Sequence, residues 1–349
     1  MTSSATRVPG VDLARGLAVL AMIQTHAYDG WVRDDARDSF AYGVTRVIAT
    51  LALPSFLLLA GVSAGLRLQS TPRPALRSAL VRRGWMLVLL GYGYSAACAL
   101  LDDAHDLDTV LRADVLHAIG LSLASLAWLV LPSPTRRGTL LMLAVLLACP
   151  LLSRLAAHVA GPGRYPLALL VDVPRISRMP LIPLLAWASA GLALAGALGR
   201  ISPRTLALAA LTAAISGNLG QRAYVALSGQ LAARTNLGIV FNAVDLLGRA
   251  LCVLALGLWL APRLAGAAHS ALQRLGRHSL LVYMLHLPFC YGRLARPLSH
   301  ALMLPAASLV LVALVLACSA VAWLTPRVSA AWRRSPSASR APADPARDP

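Results

Sequence analysis

The chain of 349 residues contains no lysine and no glutamate, so its 32 basic residues are all arginine and its 14 acidic residues are all aspartate. Charged residues make up only 13% of the chain and aromatic residues only 5%. Because no basic segment is interleaved with aromatic residues, the net charge of +18 does not indicate a nucleic-acid-binding protein. Because glutamate is absent and the histidines are scattered over separate segments, we predict no metal site.

Cysteine is also scarce, and several common motifs are missing. The five cysteines lie in apolar segments without C-x-x-C spacing, which is typical of small buried side chains rather than of a disulfide framework. We predict no G-x-S-x-G elbow, no P-loop, no H-E-x-x-H motif and no G-x-G-x-x-G motif opening a helix after a strand. These absences exclude the corresponding phosphate-loop, zinc-protease and dinucleotide-binding sites.

Long hydrophobic runs are what the chain has in abundance. Hydrophobic residues make up 58% of the sequence, and the mean hydropathy is +0.67, values that indicate an all-α, polytopic membrane protein. We predict one membrane domain over residues 1–326 and a disordered cytoplasmic tail over 327–349. Because crossing a bilayer takes about 20 apolar residues, the sequence predicts ten spans, near 11–30, 47–66, 83–101, 112–131, 138–158, 180–199, 204–227, 245–262, 275–292 and 301–324.

The distribution of arginine predicts the orientation of these spans. Arginine clusters recur in alternate connections, and such clusters face the cytoplasm. The aspartates within 29–38 and 102–108 fall in the connections on the other side. With an even number of spans, both termini are expected in the cytoplasm. The first span is expected to be a retained helix, because no small-residue cleavage site follows it.

The first span carries two ionisable residues on one face. Arg15 and His26 are eleven residues apart, which places both on one stripe of a helix, about 16 Å apart along its axis. An ionisable residue inside a span is costly and by default a functional candidate. Arg15, at the cytoplasmic end, suits a phosphate-bearing ligand, whereas His26 suits proton transfer or nucleophilic attack. The alternatives are a snorkelling arginine and a histidine that only bonds a neighbouring helix.

Further polar residues extend this pattern. Asp29 lies on the same face as His26 and would orient or charge-stabilise the imidazole. In the ninth span, Tyr283 and His286 share a face, and Arg277 lies at its cytoplasmic start. His286 belongs to the site or forms a structural hydrogen bond, and Arg277 is topogenic, ligand-binding or both.

The fourth span and the segment before the sixth offer weaker candidates. Asp114 and His117, with Arg112 nearby, either form an ion pair or bring His117 into catalysis. Arg175 and Arg178 would gate access or bind an anionic acceptor, or they are solvated loop charges.

Several segments resemble the transmembrane acyltransferase superfamily. The Arg15-x10-His26 pattern resembles the signature of the membrane acyltransferase 3 proteins. Most of the chain is similar to the bacterial heparan-alpha-glucosaminide N-acetyltransferase-like family. The similar segments, in order, are VDLARGLAVLAMIQTHAYD, LPSFLLLAGVSAGLRL, VLHAIGLS, MPLIPLLAWASAGLALAG and LGRHSLLVYMLHLP. The connections VRDDARDSFAYG and HVAGPGRYP depart from the family.

The resemblance implies transfer of an acetyl group from cytoplasmic acetyl-CoA to an amino or hydroxyl group of a glycan-like or small-molecule acceptor across a bacterial inner membrane. The partners expected are this acceptor and the lipid bilayer, and self-association is left open. By position, Arg15 and His26 match the first motif, Asp12 and Asp29 match flanking acidic positions, and Arg277 and His286 match the ninth-span motif. We therefore predict that His26, Asp29 and His286 are catalytic and that Asp12, Arg15, Arg277 and Tyr283 bind the donor.

Physical reasoning and resemblance lead to one predicted mechanism. The donor's phosphates would bind the arginine-rich cytoplasmic mouth, its pantetheine arm would run through the bundle, and the thioester would reach His26. His26 would deprotonate the acceptor for direct attack, which we prefer, or would carry the acetyl group itself. The rival hypotheses are a proton-coupled secondary transporter with a relay through His26, His117 and His286, and a non-catalytic membrane subunit of a biosynthetic or export machine.

Overall fold

The computed structural model describes residues 8–101, 107–129, 136–141, 144–145, 148, 163–171, 179–228 and 236–334. Within these residues all regular secondary structure is helical, apart from isolated bridge residues at Ala113 and at Val32 and Leu302, the last two of which pair in parallel. The predicted all-α class is confirmed for this part of the chain. The helices are α1 Pro9–Trp31, α2 Phe40–Ala49, α3 Ala52–Arg67, α4 Arg73–Leu101, α5 Leu107–Val110, α6 Val115–Leu129, α7 Arg164–Ala168, α8 Leu181–Ala195, α9 Pro203–Ser228, α10 Asn236–Leu260, α11 Gly266–Arg277, α12 Ser279–Cys290 and α13 Leu304–Arg334.

Four helical segments of the described chain are long and apolar enough to cross a membrane. They are Phe40–Arg67, Arg73–Leu101, Val240–Leu260 and Leu304–Thr325, and the apolar helices Val115–Trp128, Leu184–Ala195 and Ser279–Cys290 are shorter. α1 has 23 residues and is not among the four, because its polar residues lower its hydropathy. Most of the predicted fifth span, 138–158, lies outside the described residues, so the count of ten spans stays a prediction.

Several predicted spans differ from the observed helices in their bounds. The second is interrupted at Thr50 and Leu51, between α2 and α3. α4 begins at Arg73, well before the predicted start of the third span at 83. The predicted start lies after most of the arginines of this segment, but arginine side chains can reach the membrane interface from within a helix. α13 continues to Arg334, past the start of the tail predicted to be disordered, and residues 335–349 lie outside the described part.

The predicted ninth span, 275–292, is wrong as a single helix. The backbone of His278 has φ −101° and ψ 23°, outside the α-helical region, and it separates α11 from α12. α12 has 12 residues, which make about 18 Å of helix against a hydrocarbon core of about 30 Å. The amphipathic end of α11 and the apolar α12 are contiguous in sequence, so together they have the length of one span.

α1 is the central helix of the bundle and packs against α2, α3, α10, α11, α12 and α13. Its side chains Leu13 and Ile23 are fully buried. α11 approaches α1 closely at Gly16, where a Cβ atom would collide with the carbonyl oxygen of Leu272. Gly30 permits the same close approach of α12 near the other end of the helix. Two short helices that carry predicted site residues therefore lie directly against α1.

The segment after α12 is attached to the end of α1. The backbone N–H of His300 donates to the carbonyl oxygen of Gly30, and that of Leu302 donates to the carbonyl oxygen of Trp31, each at 2.9 Å. The guanidinium of Arg37 also donates to backbone carbonyl oxygens at this end of α1. The end of α1 and the residues that follow α12 are thereby held together.

Candidate functional site: a cationic cavity and a histidine pair

A cavity of about 910 Å³ lies between α1, α3, α4, α6 and the junction of α11 and α12. Its mouth is cationic, because Arg15, Arg67, Arg83 and Arg277 line it, and among the described lining residues Asp12 is the one acid. A cationic mouth above an apolar interior suits a ligand with phosphate at one end and an extended, less polar arm. The apolar walls include Met22, Phe56, Leu80, Leu87, Leu116, Ile119 and Leu123.

The four predicted donor-site residues, Asp12, Arg15, Arg277 and Tyr283, all line this cavity. Nη1 of Arg15 lies 3.1 Å from Oδ1 of Asp12, and Nη2 of Arg15 donates to Oγ of Ser63 at 2.7 Å. Nε of Arg277 lies 3.6 Å from Oδ2 of Asp12. One carboxylate therefore holds two guanidinium groups on the same wall. Arg15 faces a protein cavity here, in contrast to the snorkelling alternative.

Ser63 contributes to the cavity wall and is a residue that the sequence did not single out. It lies in the sequence Gly61-Val62-Ser63-Ala64-Gly65, which matches the G-x-S-x-G pattern of serine hydrolases. That pattern needs a strand-to-helix turn, whereas Ser63 lies inside α3 and its hydroxyl donates to the carbonyl oxygen of Leu59 at 2.7 Å. Ser63 therefore supports Arg15 and is not placed as a nucleophile.

Two arginines of the mouth, Arg67 and Arg83, were also missed as site residues. Each lies in or beside a predicted cytoplasmic connection, so from the sequence both are interpreted only as charges that set the orientation of the spans. Their position at the cavity depends on the packing of α3 and α4 around α6. A periodic sequence pattern does not contain that information.

Two histidines meet near the other end of α1. The ring centroids of His26 and His286 are 5.3 Å apart. His286 is fully buried, and its Nδ1 lies 2.7 Å from the carbonyl oxygen of Val282. Because a carbonyl oxygen only accepts, Nδ1 of His286 carries the proton and Nε2 has the lone pair. Within the described part of the chain, this Nε2 is buried and has no hydrogen-bond partner.

Tyr291 links His26 to Asp29, and no pattern in the sequence had indicated this residue. Nδ1 of His26 lies 3.1 Å from the Tyr291 hydroxyl oxygen, and this hydroxyl donates to Oδ2 of Asp29 at 2.9 Å. Since the only hydroxyl proton of Tyr291 goes to the carboxylate, Nδ1 of His26 donates to the tyrosine oxygen and Nε2 has the lone pair. Asp29 thus reaches the imidazole through Tyr291. Nη1 of Arg46 lies 3.8 Å from Oδ1 of Asp29.

Tyr283 joins the cavity to the histidines. It lines the cavity, and its ring centroid lies 6.0 Å from that of His286 and 6.4 Å from that of Tyr94. The predicted donor-site and catalytic residues therefore form one continuous group along α1, the end of α11 and α12. The cationic mouth is at one end of this group, and the histidine pair is at the other.

Asp114 and His117 meet through the backbone in the described structure, not as the predicted ion pair. The backbone N–H of Asp114 donates to Nδ1 of His117 at 3.1 Å. Oδ1 of Asp114 instead accepts from the backbone N–H of Val115 at 2.7 Å, because the first N–H groups of a helix lack partners within it. The His117 ring packs against Tyr92 with centroids 4.2 Å apart. The remaining candidates, Arg175 and Arg178, lie outside the described residues.

One known protein family matches more than half of the chain. The family described as heparan-alpha-glucosaminide N-acetyltransferase, catalytic, matches residues 7–222 of the chain. The chain belongs to this family. Membership indicates a membrane acetyltransferase, and it confirms the resemblance drawn from the sequence segments. No curated protein matches the chain.

The family match and the site coincide only in part. The match includes the residues that α1, α3 and α4 contribute to the cavity, and also His26 and Asp29. Tyr283, His286 and Tyr291 lie beyond residue 222. The structure brings these later residues to α1, and half of the histidine pair therefore comes from outside the matched region.

Proposed function

We propose that the protein transfers an acetyl group from acetyl-CoA to an amino group of a small or glycan-like acceptor. One observation carries this proposal: a cation-lined cavity leads toward two histidines, and one of them is hydrogen-bonded through a tyrosine to a carboxylate. Family membership supports acetyl transfer in general. The identity of the donor rests on the geometry, and the amino acceptor rests on the N-acetyl transfer that the family description names.

The cavity fits the shape and charge of acetyl-CoA. Guanidinium groups form forked hydrogen bonds to phosphate oxygens, and Arg15, Arg67, Arg83 and Arg277 would receive the nucleotide phosphates. The apolar walls would hold the pantetheine arm. Asp12 would keep Arg15 and Arg277 oriented without the donor present, since it contacts both guanidinium groups.

The family favours an amine over a hydroxyl as acceptor, because its description names N-acetyl transfer. Nδ1 of His286 lies 2.7 Å from the carbonyl oxygen of Val282, so its Nε2 has the lone pair. Within the described residues this buried Nε2 has no hydrogen-bond partner. An N–H group of an amine acceptor would satisfy it.

His26 acts as the general base in this mechanism. Its Nε2 takes a proton from the acceptor nitrogen while that nitrogen attacks the thioester carbonyl carbon. The resulting imidazolium is stabilised through Tyr291 by the Asp29 carboxylate. Collapse of the tetrahedral intermediate breaks the carbon–sulfur bond, and the CoA thiolate takes up the proton from His26. General-base catalysis of this kind contributes about 10²- to 10⁴-fold to the rate.

The proposed topology follows from charge and span count. We propose ten spans with both termini in the cytoplasm of a bacterial cell, since arginine clusters mark alternate connections. Arg15 and the cavity mouth then face the cytoplasmic donor. The histidine pair lies toward the other side, where the acceptor would be located in or at the inner membrane.

The test is an acetylation assay with purified protein in detergent, radiolabelled acetyl-CoA and a panel of amino sugars. We expect labelled product with the wild-type protein and a fall of about 10²- to 10⁴-fold in His26→Ala. His269→Ala is the matched control, because His269 lies at the start of α11 and contacts the backbone carbonyl of Leu264. Absence of CoA binding by the wild-type protein, or unchanged turnover in His26→Ala, would contradict the proposal. Unchanged turnover would mean that another group is the base, whereas absence of any acetylated product from the wild-type protein would favour a non-catalytic subunit.

A further inference from the structure

Two buried side chains, Met22 and Tyr283, line the cavity and lie next to the histidine pair along their helices. Met22 precedes His26 by four residues on α1, and Tyr283 precedes His286 by three residues on α12. Each side chain is therefore one helical turn closer to the cationic mouth than its histidine, on the same face. Met22 and Tyr283 line the cavity, whereas the lining described by the structure includes neither His26 nor His286.

Both side chains belong to the same buried core, and we call this pair the partition. Met22 is 4% exposed and Tyr283 is 6% exposed. The donor thioester must pass this partition to reach the histidines, so the proposed function requires one or both side chains to move. The ease of that movement differs between them.

Met22 is the side chain that moves more easily. Methionine is unbranched and has three rotatable bonds, so it adapts readily to an irregular space. Tyr283 is held between two rings, with its centroid 6.0 Å from that of His286 and 6.4 Å from that of Tyr94. We therefore expect rotation of Met22 to open a narrow passage, and we expect a wider passage to require displacement of the Tyr283 ring as well.

We propose that Met22 and Tyr283 together set the largest acyl group that can be transferred, so that acetyl passes and longer acyl chains are excluded. This inference rests on the proposed function, because it concerns the acyl group of the same donor. An apolar passage discriminates by about 10- to 200-fold for one methylene group. Butyryl-CoA, with two additional methylene groups, is therefore the appropriate probe.

The experiment compares acetyl-CoA and butyryl-CoA as donors for purified full-length protein, with the amino sugar that the wild-type protein acetylates best. The variants are Tyr283→Ala and Met22→Ala, which widen the passage from opposite sides, and Tyr283→Phe, which keeps the ring. The measurement is the ratio of kcat/KM for butyryl-CoA to that for acetyl-CoA. Binding of radiolabelled CoA serves as a separate check that each variant retains its donor cavity.

We expect the ratio to rise at least about tenfold in either alanine variant, and Tyr283→Phe should keep the wild-type ratio. If Tyr283→Ala does not fold, Met22→Ala tests the same passage from α1. An unchanged ratio in alanine variants that bind CoA and transfer acetyl would overturn the inference while the proposed function stands. If the wild-type protein neither binds CoA nor acetylates any amino sugar, the proposed function fails and the inference fails with it.

Discussion

The hydroxyl oxygen of Tyr291 lies 3.1 Å from Nδ1 of His26, although the two residues are 265 positions apart in the sequence. The same hydroxyl donates to Asp29 at 2.9 Å. This contact determines which nitrogen of His26 has the lone pair, and it gives Asp29 a route to the imidazole. Tyr291 is therefore a positioning residue for the proposed base.

Tyr291→Phe removes the hydroxyl and keeps the ring. We expect kcat to fall roughly 10- to 100-fold, because hydrogen bonds to charged groups contribute about 1.5–3 kcal/mol, while KM for acetyl-CoA stays unchanged. The control is Tyr28→Phe, which loses a hydrogen bond of 2.7 Å to Ser308 and should keep the wild-type kcat. Equal losses in both variants would show that Tyr291 has only a structural role.

Arg83→Gln removes one charge from the mouth of the cavity and keeps a long polar side chain. We expect KM for acetyl-CoA to rise about tenfold with little change in kcat, because a phosphate contact made equally in ground state and transition state affects binding alone. The measurement is steady-state kinetics with acetyl-CoA and, in parallel, with S-acetyl-pantetheine, which lacks the nucleotide phosphates.

The effect of Arg83→Gln should disappear with S-acetyl-pantetheine. Arg263→Gln is the control, because Arg263 lies over the ring of Trp259 at 4.5 Å and does not line the cavity. If Arg83→Gln weakens both donors equally, Arg83 does not contact the phosphates.

Gly16→Ala tests the close approach of α11 to α1. The new Cβ would collide with the carbonyl oxygen of Leu272, and overpacking of this kind typically costs about 1–3 kcal/mol. We expect a lower Tm in detergent. Gly43→Ala is the matched control, since nothing lies within 4 Å of its new Cβ and alanine is the better helix former; its Tm should stay equal or rise. A wild-type Tm for Gly16→Ala would mean that α11 packs more loosely than described.

Asp245→Asn tests a buried ion pair within α10. Oδ1 and Oδ2 of Asp245 accept from Nε and Nη2 of Arg249 at 2.7 and 2.6 Å, and Nη1 of Arg249 donates to Thr50 at 2.8 Å. Removing one charge leaves the other uncompensated, which costs about 3–5 kcal/mol at a buried pair. We expect a lower Tm for Asp245→Asn than for the double variant Asp245→Asn with Arg249→Gln. The reverse order would show that the pair contributes little.

The first helix was predictable because its polar residues repeat with the helical period. Spacing alone placed Arg15 and His26 on one face, and both face the proposed site in the structure. Tyr291 was not predictable in this way. It follows α12 in extended backbone with φ −137° and ψ 163°, and its place beside His26 depends on the contacts that attach this segment to the end of α1.

Hydropathy alone did not predict that the chain is divided into two short helices at His278. The polar residues of α11 and the apolar residues of α12 add up to one plausible span, although the structure divides them. For the same reason, the charge pattern predicted that Arg67 and Arg83 lie on the cytoplasmic side but did not predict that they line the cavity. Both findings depend on how helices pack, which the period of a single helix does not specify.

The polar residues of α1 have partners in segments that leave the ribosome much later. Arg15 contacts Ser63 on α3, Asp12 contacts Arg277 on α11, and His26 contacts Tyr291 after α12. Because synthesis proceeds from the N-terminus and unpaired charges are costly in lipid, α1 gains its full stabilisation only when the C-terminal helices have entered the membrane. Assembly of the site is thus coupled to completed insertion of the chain, and a nascent chain that stops before α12 contains His26 without His286 and Tyr291.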